Sequence, residues 1–217
     1  MSIQILLVDD HSITREGLYA LLGKKPNFTV IKQAENGRAA VKLARQHKPD
    51  VIVMDINMPD LNGIDATRQI LAELPDVKII ALSMYSDRSY VKGMLQAGAS
   101  GYLLKNCAFD ELAKAIETIY NNQTYLSPRI SEIVRKEFVK LMKSDDTSAT
   151  ELLTDREREV LQMIAEGYKT KEIADRIHVS IKTVEARRLQ IMEKLNIDSV
   201  AGLTKFAIRE GITSIEI

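Results

Sequence analysis

Over the first 125 positions the apolar residues come in short runs, and each run stops at a polar side chain. Ile3 and Ile5-Leu6-Leu7-Val8 stop at Asp9-Asp10, and Val51-Ile52-Val53-Met54 stops at Asp55. Val77 to Leu82 stops at Ser83, and Gly101 to Leu104 stops at Lys105. Short apolar runs bounded by turns predict buried parallel strands; the run from Phe28 to Ile31 predicts one more. Between the runs the spacing changes to three and four residues. Ile13, Leu18, Leu21 and Leu22 predict a first helix, and Asn36 caps a second carrying Ala40, Leu43 and Ala44. Residues 63 to 74 predict a third. Ser86 caps a fourth with Val91, Met94 and Leu95, closed by Gly98, and Phe109, Leu112, Ile116 and Ile119 mark a fifth. Five such units predict a doubly wound parallel α/β sheet.

The pattern changes after residue 125. Ile130, Ile133, Val134, Phe138 and Leu141 predict a connecting helix, and Ser144-Asp145-Asp146-Thr147-Ser148 reads as a flexible linker. From Leu152 the spacing is helical throughout. Thr154-Asp155-Arg156-Glu157 is a capping-box sequence opening a helix with Val160, Leu161 and Ile164 that ends at Gly167. A short helix carries Ile173, Ala174 and Ile177. His178-Val179-Ser180 then turns the chain into a longer helix reaching Leu195, and a last helix spans residues 200 to 209. The expected organisation is one domain over 1–125, a linker over 126–150 and a small all-α domain of four helices over 151–217.

Composition narrows the classes. The chain has 217 residues with 30 Lys+Arg against 30 Asp+Glu, so no whole-chain field favours nucleic acid or membrane, and any such partner must meet a local patch. The lone Cys107 excludes an internal disulfide and fits a reducing cytosol. The N-terminal apolar stretch is too short for a signal peptide, no stretch matches a transmembrane span, and a cytoplasmic protein without membrane contact is expected.

The candidate chemistry follows from the strand ends. Open α/β sheets place their sites at the carboxyl ends of the strands, so Asp9, Asp10, Asp55, Ser83 and Lys105 should gather on one edge. Clustered carboxylates form a hard oxygen site suited to Mg²⁺. A carboxylate attacking phosphorus gives an aspartyl phosphate, and a lysine and a hydroxyl nearby would stabilise the charge on the phosphoryl oxygens. Any one of these residues is ordinary at a strand end; all five on consecutive units of one sheet are not. Cys107, Met54, Met58 and Met84 read as packing residues.

Asp9-Asp10, Asp55 with Pro59 and Gly63 beyond it, Ser83, Tyr102 and Lys105 together resemble the receiver domain of two-component response regulators. That resemblance implies a flavodoxin-like sheet of order 2-1-3-4-5 and a phospho-acceptor at Asp55. It implies Mg²⁺ held by Asp10, Asp55 and the backbone carbonyl of Asn57, with Asp9 acting through water. Lys105 would pair with a phosphoryl oxygen, Ser83 would turn toward the phosphoryl group, and Tyr102 would rotate inward with it. Many receivers follow the lysine with a cis proline; here Asn106-Cys107 follows.

Leu153-Thr154, Glu157 to Leu161, Gly167, Lys171-Glu172-Ile173-Ala174 and Lys182-Thr183-Val184-Glu185 resemble the LuxR-type helix-turn-helix. The whole chain then resembles the NarL/FixJ family, although Arg187 stands where that family often has His. At about 100° per residue, Val184, Ile191 and Leu195 share the core face of the recognition helix, with Arg188 beside them. Lys182, Glu185, Ala186, Leu189 and Gln190 are expected toward the major groove. Lys169, Thr170, Lys171, Thr183, Arg187 and Lys194 are expected on phosphates. The cations are interleaved with acids, so one copy should bind weakly and two copies on paired half-sites should gain avidity. The implied partners are a sensor histidine kinase, double-stranded promoter DNA, RNA polymerase and a second copy of the chain. Two other classes stay open here: a phosphohydrolase with an aspartyl-phosphate intermediate, which commonly needs a second acid where Asn57 stands, and a constitutive DNA-binding protein with an inert receiver.

Overall fold

The computed structural model describes residues 2–141 and 152–214. It divides into two compact units, Met1–Val139 and Lys140–Ile217. The expected linker run from Ser144 to Ser148 lies outside the described residues.

The first unit alternates strands and helices: β1 (Ile3–Val8), α1 (Ser12–Leu22), β2 (Phe28–Ala34), α2 (Gly37–His47), β3 (Val51–Asp55), α3 (Gly63–Glu73), β4 (Lys78–Ser83), α4 (Arg88–Gln96), β5 (Gly101–Leu104) and α5 (Phe109–Tyr120). A two-residue strand, β6 (Tyr125–Leu126), and α6 (Pro128–Leu141) complete it. All strand pairs are parallel and the order is β2-β1-β3-β4-β5-β6. The expected order 2-1-3-4-5 is thus extended by a sixth strand. The alternation of the strands sorts their side chains onto two faces. Leu6, Val8, Ile52, Met54 and Ala81 pack with Ala40 of α2, Ile64 of α3, Tyr90 of α4 and Ile130 of α6. Ile5, Leu7, Val51, Val53, Leu82 and Leu103 pack with Leu22 of α1 and with Leu112 and Ile116 of α5.

Three local expectations change. The first helix does not present one apolar stripe: Leu18 and Leu22 pack inward, but Ile13 is 88% exposed. Five residues at about 100° each put Ile13 roughly 140° away from Leu18, off the buried face. Asn36 does cap α2, accepting from the Ala39 N–H at 2.9 Å, but α4 is preceded by Asp87, not Ser86, and no side chain caps it. The first unit also runs beyond residue 125. Ile130 is fully buried and Ile133 and Val134 pack on the same core, so half of the expected connecting segment belongs to this unit. Phe138, further along α6, is exposed.

The second unit contains α7 (Asp155–Ala165), α8 (Thr170–Arg176), α9 (Ile181–Leu195) and α10 (Val200–Arg209). The capping box at Thr154 and Glu157 forms, with both reciprocal bonds present. Gly167 at φ +87° supplies the left-handed residue that ends α7, and Ser180 caps α9 through the Thr183 N–H. Val160, Leu161, Ile173, Val184, Ile191, Leu203 and Phe206 form a core of its own.

Candidate functional site

Register brings the strand-end residues together. Val8 pairs with Met54, Asp55 with Leu82, and Ser83 with Leu104, so the chain reaches Asp9, Asp55, Ser83 and Lys105 at one edge. Gly63 keeps the loop after Asp55 tight: its N–H donates to the Ile56 carbonyl at 2.8 Å, and a Cβ there would lie 2.0 Å from the Asp55 carbonyl oxygen. A Cβ on Gly93 of α4 would lie 2.8 Å from the end of the Ile64 side chain.

Lys105 is the hub. Its Nζ lies 2.8 Å from Asp55 Oδ2 and 2.8 Å from Asp9 Oδ2, with all three side chains largely buried. Asp55 Oδ1 accepts from the Ile56 N–H at 2.7 Å. Burial pushes the Asp55 carboxyl up to about 6, against the Lys105 charge that lowers it, with Asp9 and Asp10 adding to the rise. Burial would lower the Lys105 ammonium, but Asp55 and Asp9 hold it above its ordinary value.

Asp9, Asp10, Asp55 and His11 place one ligand atom each within 4.8 Å of one another, an acidic cluster that fits a metal site. His11 and Arg15 lie outside the residues expected here. His11 Nδ1 is 2.8 Å from Asp10 Oδ1, the His11 backbone N–H donates to Asp9 Oδ1, and Arg15 Nη1 donates to the Asp9 carbonyl at 2.6 Å. Direct adjacency to Asp9-Asp10 was the available cue for His11; Arg15 carries none, because its contact depends on α1 starting where it does. The Asn57 amide nitrogen is buried without a partner.

Ser83 is fully buried, and its Oγ accepts from the Tyr85 N–H at 3.1 Å. Tyr102 was expected to swing inward on modification. Its ring is already fully buried, in the same cluster as Leu126 and Ile130. Its hydroxyl donates to the Tyr85 carbonyl at 2.9 Å, and burial raises the phenol far above its usual range. Cys107 packs against the core, and burial, then Glu111, pushes its thiol up, so it is a packing residue. Met54 and Met58 are buried as expected, but Met84 is 69% exposed beside Ser83. No cis peptide occurs among the described residues.

In the second unit, α8 and α9 with the intervening turn at His178 (φ +54°) form a helix-turn-helix. Val184 and Ile191 of α9 are buried and Leu195 packs beside them, while Lys182, Glu185, Ala186, Leu189 and Gln190 are exposed. Lys169 and Lys171 are exposed at the start of α8, Thr170 is half-buried, and Thr183 shares a 2.8 Å bond with the Ser180 hydroxyl. Arg187 is half-buried. Lys194 departs from expectation. Its ammonium lies 2.8 Å from Glu157 Oε2, which also accepts from the Thr154 N–H and hydroxyl, so this cation ties α9 to α7. Burial raises Glu157, but the Lys194 ammonium and Thr154 donors hold its carboxyl below the usual range.

Comparison with known proteins agrees with this geometry. Residues 5–117 match the family model for the response regulator receiver domain, and residues 151–207 match bacterial regulatory proteins of the luxR family. The chain is 37% identical to the transcriptional regulatory protein DegU of Brevibacillus brevis, covering 96% of this chain and 94% of that protein. It is 38% identical to the oxygen regulatory protein NreC of Staphylococcus carnosus, covering 95% and 97%. Among solved structures, a LuxR-family two-component response regulator from Aurantimonas sp. SI85-9A1 aligns with TM-score 0.61 at 35% identity, over 64% of this chain and 99% of that one. The RcsB response regulator of Salmonella typhimurium shares the fold at TM-score 0.58 and 24% identity, over 94% and 97%. A receiver with a clustered acid pocket, followed by a LuxR-type DNA-binding domain, places the chain among the two-component transcriptional regulators of the NarL/FixJ family, to which it belongs.

Proposed function

We propose that Asp55 accepts a phosphoryl group from a sensor histidine kinase and that this modification gates DNA binding by the second unit. The observation that carries the reading is Lys105, held between Asp55 and Asp9 at 2.8 Å from each. With its carboxyl near 6, Asp55 is mostly ionised at neutral pH and ready to attack phosphorus. An Asp55 oxygen forms the new O–P bond, the P–N bond of the donor phosphohistidine breaks, and the imidazole keeps the electron pair and takes a proton. Lys105 is within reach of the charge that builds on the phosphoryl oxygens.

Magnesium fits the site. The converging carboxylates are hard oxygen donors, and a buried, acid-rich pocket calls for a divalent counter-charge. Asp10, Asp55 and the Asn57 carbonyl would hold the ion, with Asp9 acting through water. When bound, it supplies positive charge against the phosphoryl oxygens. Ser83 then leaves its bond with the Tyr85 N–H to donate toward the phosphoryl group. Tyr102 is already inside, so the segment that shifts is the loop from Ser83 to Asp87.

On DNA, Lys182, Glu185, Ala186, Leu189 and Gln190 face base edges, and Lys169, Thr170, Lys171, Thr183 and Arg187 face phosphates. Lys194 is committed to Glu157 and is withdrawn from that set. RcsB has been solved in complex with DNA and as dimers on DNA, and a dimer of this chain on paired half-sites would supply the avidity that a charge-balanced reader needs. Recruitment of RNA polymerase belongs to the same reading, and such a regulator works in the cytoplasm.

Intact-mass measurement after incubation with a small phosphodonor and Mg²⁺ tests the acceptor. A single phosphoryl adduct is expected on wild type and none on Asp55→Asn. An adduct of equal yield on the variant would move the acceptor elsewhere.

A further inference from the structure

The DNA-binding unit holds six arginines besides those of the receiver, and their engagement is uneven. Arg156 pairs with Glu159, and Arg158 pairs with Asp155 and donates to the Leu153 carbonyl. Arg176 stacks over the Tyr168 ring, and Arg209 pairs with Glu210. Arg187 and Arg188, one after the other on α9, have no such partner among the described residues. Of the two, Arg188 is the unusual one. It stands one turn beyond the buried Val184, and its Nε is buried with no hydrogen-bond partner. The side chain as a whole is half-buried, so the desolvation cost falls on that one nitrogen, and a bound anion would offset it.

Arg188 borders a groove of about 320 Å³. Lys169 and Thr170, at the turn between α7 and α8, line it as well, as do Tyr168, Glu185 and apolar side chains such as Ile173 and Val184. Two cations, Arg188 of α9 and Lys169 before α8, thus share one groove with the hydroxyls of Thr170 and Tyr168. The one acid among them, Glu185, is three positions before Arg188 on the same helix, the spacing at which such pairs meet, yet no ion pair joins them among the described residues. The planar fork of arginine matches phosphate oxygens, which a lysine meets only as a point charge.

We infer that Arg188, with Lys169 and Thr170, forms a seat for a backbone phosphate of duplex DNA. Arg188 lies beside the core stripe of α9 and borders the groove that Lys169 and Thr170 also line. This inference rests on the DNA-binding reading above and adds a contact to it. A phosphate seat fixes the register of α9 on the duplex and carries no sequence preference of its own. Glu185, in the same groove, weakens the seat by like-charge repulsion.

The test uses the full chain, treated with phosphodonor and Mg²⁺, and a labelled duplex of random sequence as probe. Affinity is measured across a salt series for wild type, Arg188→Met, Arg188→Lys and Glu185→Gln. Methionine keeps the apolar stem beside Val184, and a thermal melt of each variant reports that the unit is folded. The expected result is weakening on the order of tenfold for Arg188→Met, with the salt slope falling by about 1 per chain. Arg188→Lys should recover the slope but only part of the affinity, and Glu185→Gln should bind more tightly than wild type. Arg188→Met with wild-type affinity and slope would overturn the seat while leaving DNA binding intact. Absence of binding by wild type would overturn the DNA reading itself. If Arg188→Met fails to fold, tighter binding by Glu185→Gln supports the seat and unchanged binding refutes it.

Discussion

Lys105 and Lys194 show how one ammonium can serve two carboxylates or two helices. Removing Lys105 leaves Asp9 and Asp55 buried face to face without a cation. Lys105→Met is therefore expected to lower stability by roughly 3 kcal/mol in divalent-free buffer, with millimolar Mg²⁺ restoring part of it. Denaturant unfolding with and without Mg²⁺ checks this; an unchanged midpoint would mean that the lysine does not hold the pocket together. Glu157 gives a prediction in pH. Its carboxyl is lowered in the folded chain, so the unfolded chain binds protons more readily. The resulting stability is fully present above the unfolded value of about 4.3 and is lost as pH falls through the lower folded value. Melts of wild type and Glu157→Gln should differ by a constant amount above pH 5 and converge toward pH 3. The identity of Asp55, Ser83 and Lys105 as neighbours was legible in sequence because parallel register places strand ends side by side. The Lys194 partner was not, because it lies 37 residues away and helical periodicity says nothing about which helices meet. Nor was the resting position of Tyr102, which depends on a carbonyl in another loop.

At the level of elements, the strands and most helices follow their apolar runs; β1 and β5 lie where the pattern puts them. What the pattern missed is at the end of the receiver. A two-residue strand has too little periodicity to be seen, and β6 exists because Gly101 and Tyr102 offer a free edge for Tyr125 and Leu126. A Cβ on Gly101 would sit 3.1 Å from the Tyr125 carbonyl, so the glycine lets the sixth strand approach without a shift of its backbone. From there α6 follows directly: the Ser127 N–H donates to the Tyr102 carbonyl, Ile130 enters the core, and Glu137 pairs with Arg88 at the start of α4. The Tyr102 residue thus touches the Ser83–Asp87 loop through its hydroxyl and the root of α6 through its backbone. Ile130→Ala should cost about 2–5 kcal/mol, as for other fully buried aliphatic truncations, whereas Phe138→Ala, on the exposed face, should stay within about 0.5 kcal/mol. Denaturant midpoints of the two variants against wild type decide between a strap that belongs to the receiver and a loosely attached connector.

At the scale of the whole molecule, two separate cores predict two unfolding steps. Calorimetry of the full chain should resolve two transitions, because neither the two clusters of the first unit nor the cluster of the second includes residues of the other. Adding Mg²⁺ should raise only the transition of the first unit, in proportion to the logarithm of its concentration, and Glu157→Gln should move only that of the second. A single cooperative transition that Mg²⁺ raises as a whole would show that the units unfold together. The even balance of 30 basic and 30 acidic residues belongs to this scale as well. It hid the helix-turn-helix from composition, since a total charge says nothing of where the exposed cations of α8 and α9 gather, and that grouping is a property of the folded chain.

The short sixth strand has a consequence for solubility. An unpaired strand edge is a template for another chain, and β5 is buried along its whole length. Tyr125 and Leu126 occupy the outer backbone of Gly101 and Tyr102, and α6 then lays Ile130 into the core beside the sheet. A receiver cut before Tyr125 would keep every residue of the acid pocket and yet lengthen the open edge of β5 by the backbone of Gly101 and Tyr102, so it should be more prone to edge-to-edge self-association than the longer chain.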